Sequence, residues 1–159
     1  MKKATLLILW IGIFTHLRSQ TTDYFSLLSY IQTHTKQSTH DRLIAVSVWS
    51  PSDKNSRDVN TQLNQACYVF QNAKLKGGSK GILGVVICSD NDDVAANIAL
   101  KKDNITNVIV VPASQLSSFS ELNKKPNPYN AVYDMTGNLV YENLTSTSFF
   151  DSIRNLITR

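Results

Sequence analysis

Apolar residues fall along this chain in several rhythms, and each rhythm predicts an element. Leu43 to Trp49 (Leu-Ile-Ala-Val-Ser-Val-Trp) and Ile82 to Cys88 are short apolar runs rich in β-branched residues. That pattern belongs to strands buried on both faces. Between them Val59, Leu63, Ala66, Phe70 and Ala73 recur at steps of four and three, which predicts a helix from about Asp53 to Lys76. Gly77 and Gly78 supply its stop. Ser89-Asp90 opens a further helix through about Lys102, and Val108 to Val111 reads as a short strand. Strand, helix, strand, helix predicts parallel strands with a right-handed crossover.

The flanks are shorter. Asp23 to Ile31 has helical spacing with Asp23 as its N-cap, and the polar stretch Gln32 to Arg42 reads as a loop. Gln115 to Leu122 reads as a short helix. Ala131 to Tyr133 and Leu139 to Tyr141 flank Asp-Met-Thr-Gly, a hairpin turn with Gly137 placed for positive φ. An amphipathic helix carrying Phe149, Phe150, Ile153, Leu156 and Ile157 closes the chain.

The first nineteen residues follow a different order and read as an export signal. Lys2 and Lys3 precede an apolar run from Ala4 to Phe14, and Leu17 and Ser19 suit a cleavage site before Gln20. The run is short for a bilayer, so a retained anchor is the weaker reading. This segment also changes the charge argument. It holds Lys2, Lys3 and Arg18 and no acid, so removing it brings the formal charge from +4 to about +1. A near-neutral domain carries no general electrostatic footprint for nucleic acid. With 42% hydrophobic residues and six Gly, the remainder suits one ordinary globular domain in a disulfide-permissive compartment.

Candidate chemistry is sparse. Cys67 and Cys88 are the only thiols and fit no zinc motif. They read as small buried hydrophobes, with a structural disulfide or a displaced redox pair as alternatives. Asp90 to Asp93 lacks the glycine and final glutamate of a calcium loop, and reads as a helix cap with first-turn acids. Gly77-Gly78-Ser79-Lys80-Gly81 joins a helix to a strand, the reverse of a phosphate loop. His34 and His40 stand alone in polar surroundings. Asn104-Ile-Thr and Asn143-Leu-Thr are formal glycosylation sequons only, because the signal looks bacterial. No metal site or cofactor is expected.

Two segments carry a resemblance. Val48-Trp49-Ser50-Pro51-Ser52-Asp53-Lys54-Asn55-Ser56-Arg57 is similar to the active-site segment of thioredoxin-like thiol-disulfide oxidoreductases of the TlpA/peroxiredoxin-like group. Trp49 matches the family's first Trp and Arg57 its closing basic residue. Pro128-Tyr-Asn-Ala-Val-Tyr-Asp-Met-Thr-Gly-Asn-Leu-Val140 resembles the family's cis-proline segment, with Pro128, Asp134 and Gly137 matching directly. The resemblance implies an α/β thioredoxin-like fold, a central mixed β-sheet flanked by helices, with an extra N-terminal helix. Its expected divisions are a signal at 1–19, a helix and loop at 20–42 and the domain at 43–159. It also implies a cis Asn127-Pro128 bond opposite the start of the helix near Asp53, and a trans Pro126.

One departure governs function. The places of the family's two cysteines hold Asp53 and Ser56, so neither a nucleophilic thiolate nor a resolving thiol is supplied. Ser52 or Asp53 is instead suited to cap the helix. The leading expectation is a redox-inactive protein of the bacterial envelope, periplasmic or secreted, with no stable membrane span. It would bind a polypeptide or partner protein through Trp49, Pro51, Ser52, Asp53, Asn127 and Pro128. Against it stand a merely vestigial surface, and a divergent oxidoreductase using Cys67 and Cys88 or a partner's thiols.

Overall fold

A computed structural model describes residues 22–158, so the export-signal reading of 1–19 lies outside the described residues. Five strands form one sheet: β1 (Leu43–Trp49), β2 (Ile82–Cys88), β3 (Val108–Val111), β4 (Tyr129–Tyr133) and β5 (Leu139–Glu142). Their spatial order is β3-β2-β1-β4-β5. β1 pairs in parallel with β2, and β2 with β3, whereas β4 runs antiparallel to both β1 and β5. The sheet is therefore mixed.

Helix α2 (Lys54–Phe70) crosses from β1 to β2, and α3 (Asp93–Lys102) crosses from β2 to β3. Successive right-handed crossovers in one direction put both helices on the same face. The cores record this directly. Leu43, Ala45 and Trp49 of β1 pack with Val59, Leu63 and Phe70 of α2, Leu100 of α3, and Phe149 and Ile153 of α4 (Phe149–Arg154). The alternate residues Ile44, Val46 and Val48 pack on the other face with Leu27 and Ile31 of α1 (Thr22–His34), and with Phe119 and Leu122. Period-two alternation divides one fully buried strand between two cores. Each large side chain so buried contributes about 1.5–3 kcal/mol.

Several boundaries differ from the periodic reading, each for a tertiary reason. α2 stops at Phe70 rather than Lys76. Beyond it, Lys74 bridges to Lys80 and Leu75 to Ile157, with Lys76 N–H donating to Leu156 O at 2.7 Å. Leaving the helix buries Leu75 and also draws Leu156 and Ile157 out of α4. α3 begins at Asp93 because Asn91 takes φ +54° and Asp92 caps it, accepting from Ala95 N–H at 2.9 Å. The helix expected over Gln115–Leu122 is two 3-10 pieces, Ala113–Ser118 and Leu122–Lys124.

Asp23 corrects another expectation. It lies inside α1 and is buried, and it does not cap that helix. Its carboxylate accepts from the backbone N–H of Glu121 (2.9 Å) and Leu122 (2.6 Å). The N-terminal helix is thereby tied to the connection that leads into β4. Tyr24 adds a second tie, its hydroxyl donating to Met135 O at 3.0 Å in the β4–β5 turn. Gly137 takes φ +85° there, and a Cβ on it would stand 2.6 Å from the Tyr24 ring. Among the described residues, no helix is long and apolar enough to cross a membrane.

Candidate functional site

The first turn of α2 sits where β1 ends, which in an open α/β sheet is where ligand-facing loops gather. Asp53 caps the helix with extended backbone (φ −89°, ψ 118°). It accepts from Ser56 N–H at 2.9 Å and from Asn55 N–H at 3.3 Å. The buried Ser56 hydroxyl also donates to Asp53 Oδ2 at 2.5 Å. These bonds, the Ser56 hydroxyl foremost, hold the Asp53 carboxyl below the usual carboxylate range. A carboxylate placed on orphan N–H groups and the positive helix end is a stable arrangement and a poor nucleophile.

Clefts open on either side of this cap. One, of about 330 Å³, is lined by Asn55, Val59, Pro128, Asn130, Asn143 and Thr145. Pro128 thus shares a cleft with the first turn of α2. The Asn127-Pro128 bond is cis, and among the described residues it is the cis bond present. The cleft's far wall is braced by Asn130, whose side chain donates to Leu144 O (2.8 Å) and accepts from Leu144 N–H (2.9 Å). Next to Pro128, the buried Tyr129 donates its hydroxyl to Glu142 at 3.2 Å, and Lys125 lies 4.8 Å over its ring.

The second cleft, of about 570 Å³, lies on the α3 side and is lined by Pro51, Arg57, Asp90, Ala95, Ile98 and Lys102. Arg57 closes one end by a bidentate pair to Asp103, with Nε–Oδ2 2.7 Å and Nη2–Oδ1 2.5 Å. The guanidinium holds the Asp103 carboxyl below its ordinary range. At the other end Asp90 accepts from the buried Ser50 hydroxyl and from Ser89 Oγ.

The expected binding residues therefore divide. Pro128 lines one cleft, Pro51 and Ser52 line the other, Asp53 caps the helix between them, and Asn127 is exposed. Trp49 is a correction. It is 1% exposed and belongs to the core under α2, so it supports the surface without touching it. Sequence reasoning missed Asn55 of α2, and Asn143, Thr145 and Ser146, which the β4–β5 pairing carries back beside it. It also missed Asn60, buried one turn after Ser56 with neither amide atom hydrogen-bonded. A polar residue beside an apolar helical stripe was the available signal.

The disulfide alternative for Cys67 and Cys88 is corrected as well. Both are free and buried. A Cβ on Gly84 would stand 2.7 Å from Cys67 Sγ, so that thiol rests against this point of β2. Cys88 lies four residues further along the strand, about 13 Å away at 3.3 Å per residue. A disulfide needs Cα atoms within about 7 Å. Burial pushes the Cys67 thiol up to about 12 and raises Cys88 too, so neither is poised as a thiolate. The acids near α3 are engaged structurally, Asp92 as cap and Asp93 accepting from Ala113 N–H at 2.8 Å. Among the described residues, no cluster of three or more His, Cys, Asp or Glu could hold a metal ion.

Comparison with solved structures identifies this architecture. The thioredoxin domain of a thiol-disulfide oxidoreductase from Bacteroides vulgatus superposes with TM-score 0.61 at 13% identity, covering 76% of this chain and 82% of that one. The chain has the thioredoxin-like fold. A secreted Mycobacterium tuberculosis disulfide oxidoreductase homologous to E. coli DsbE matches this thioredoxin-like chain with TM-score 0.59 at 14% identity, covering 74% and 84%. A thioredoxin-like protein from Parabacteroides distasonis matches with TM-score 0.54 at 20% identity, covering 75% and 87%. No protein-family model matches the sequence, and no curated protein does. At these identities the likeness speaks for the fold of this thioredoxin-like chain.

Proposed function

We propose that this chain is an exported, redox-inactive thioredoxin-like protein that binds extended polypeptide beside Pro128 and the first turn of α2. The observation that carries this reading is the hydrogen bond from Ser56 Oγ to Asp53 Oδ2. It joins the two positions that the resemblance assigns to exchange cysteines. A surface built for thiol chemistry is kept in shape there by a cap, and its cleft remains open at about 330 Å³.

Exposed backbone at Asn127 can pair with an extended chain without any cysteine. The neighbouring amides and hydroxyls of Asn55, Asn143 and Ser146 carry no formal charge and suit a peptide backbone. We read residues 1–19 as the signal that delivers the protein to the periplasm or exterior, leaving the α1 segment and the domain from Leu43 onward. The buried, widely separated thiols weigh against an oxidoreductase working through Cys67 and Cys88.

Titration of the isotopically labelled chain with a reduced, alkylated unfolded protein tests the reading. Amide shifts are expected at Asn127, Tyr129 and Asn55. Shifts confined to other faces would refute the site. Insulin reduction by the wild-type chain, abolished by Cys67→Ser or Cys88→Ser, would refute the redox-inactive reading.

A further inference from the structure

The α3 crest carries the most exposed aliphatic side chains among the large hydrophobics described. Val94 is 71% exposed and Ile98 62% exposed. They stand one turn apart, so they share a face. Ile98 and Ala95 also line the groove between α3 and the start of α2. Val110 is exposed on the neighbouring edge strand β3. By strand alternation it shares a sheet face with Val108, which packs against the α2-side core.

Charge along this crest is sorted by end. Asp90 and Asp92 are exposed at its start, where their carboxylates also accept from Ser50, Ser89 and the Ala95 N–H, and Lys101 and Lys102 are exposed at its finish. The midpoint of Val94 and Ile98 falls at position 96. At 1.5 Å per residue, Asp92 lies about 6 Å before that point and Lys101 about 7.5 Å beyond it. A two-fold axis through the midpoint therefore lays the acidic end of one copy on the basic end of another. The same rotation sets Val94 against Ile98 and opposes the two helix dipoles.

We infer that this face is a two-fold self-association surface whose occupant is a second copy of this chain. The requirement for such an interface is self-complementarity, and the α3 crest meets it in both charge and apolar content. The projecting aliphatic side chains and the groove that can receive them lie on one face. Contact through one ten-residue helix and its groove is small, so the dimer is transient, with a Kd of about 10 µM to 1 mM. The surface lies on the opposite side of the α2 cap from Pro128, so pairing leaves the cis-proline cleft open.

Sedimentation velocity on the purified chain at low salt tests this. The mass is expected to double with concentration, and Ile98→Glu is expected to weaken association about 10-fold or more. The substituted side chain is already exposed, so folding is preserved. Raising the salt to about 0.5 M is expected to weaken it further by screening the end charges. Register gives a second readout. Val94→Cys and Ile98→Cys chains, mixed and oxidised with diamide, are expected to form the mixed disulfide faster than either forms its own. A chain monomeric at about 1 mM overturns the proposal. So does a dimer indifferent to Ile98→Glu, or crosslinking without preference for the mixed pair.

Discussion

The two clefts that flank the α2 cap are built on different principles. On the Pro128 side uncharged amides and hydroxyls are interleaved with Val59, Pro128 and Leu144, and the wall is fixed by hydrogen bonds within one hairpin region, Asn130 to Leu144. On the α3 side the floor is aliphatic, and a charged group stands at each end, Arg57 paired with Asp103 and Asp90 accepting from the Ser50 hydroxyl. Uncharged donors and acceptors suit a backbone, which offers the same groups at every residue. An apolar floor with charges sorted by end suits one partner in one orientation. On the proposed reading, a single helix N-terminus thus separates a surface that would tolerate many sequences from one that would demand a particular shape.

The largest effect is expected where the two surfaces meet. Replacing both Asp53→Cys and Ser56→Cys puts thiols on side chains that already converge to 2.5 Å. A thiol at a helix N-terminus ionises below its free value of about 8.5. Insulin reduction is expected to stay at background in the wild-type chain and to become measurable in the double variant. A folded but inactive double variant would show that the rim lacks an accessible exchange geometry.

The comparison can then be broken cleft by cleft. Ser146→Trp is expected to fill the Pro128 side and weaken binding of an unfolded polypeptide about 10-fold or more. Ala95→Trp, on the α3 side, is expected to leave that affinity unchanged. Equal losses in a fluorescence-anisotropy titration would mean that the two clefts act as one site.

Asn60 offers a sharper test of what lies beneath the cap. Its two amide atoms are buried and unpaired. An unsatisfied buried polar group costs about 1–3 kcal/mol, so Asn60→Leu, of similar volume, is expected to raise stability by about that amount. A urea midpoint that falls instead would mean that the amide makes an indispensable interaction in solution.

Legibility followed the range of the interactions. β1 and β2 were readable to the residue, because burial on both faces leaves a nearly continuous apolar run, and the edge strand β3 because all four of its residues are β-branched, although Val110 is exposed. The α2 start was readable from its cap chemistry, and Pro128 from its resemblance. What escaped depends on contacts distant in sequence. The pairing of Leu75 with Ile157 ends α2 early, and no local feature near Phe70 announces it. Asp23 looks like a cap, yet it serves backbone donors at Glu121 and Leu122. The resemblance gives Trp49 a place at the surface because it supplies a position without its depth. Asn143 and Ser146 join the site only through the fold of the hairpin that carries them.

The smallest effect concerns the cap itself and carries a definite pH signature. Asp53→Ala removes the acceptor for Ser56 and Asn55 N–H and is expected to cost about 1 kcal/mol at neutral pH. The Asp53 carboxyl is held below its ordinary value in the folded chain, chiefly by the Ser56 hydroxyl. A group depressed on folding stabilises fully above its unfolded pKa, near 3.9 for Asp, and loses that contribution as pH falls through the folded value. The wild-type chain should therefore lose stability in this range while Asp53→Ala loses less. The gap between their denaturant midpoints is expected to hold from about pH 7 to pH 5 and to narrow below about pH 4. A gap constant into that acid range would mean that the cap acts through shape and neutral hydrogen bonding. The ionised carboxylate would then have no special part in holding the rim between the two clefts.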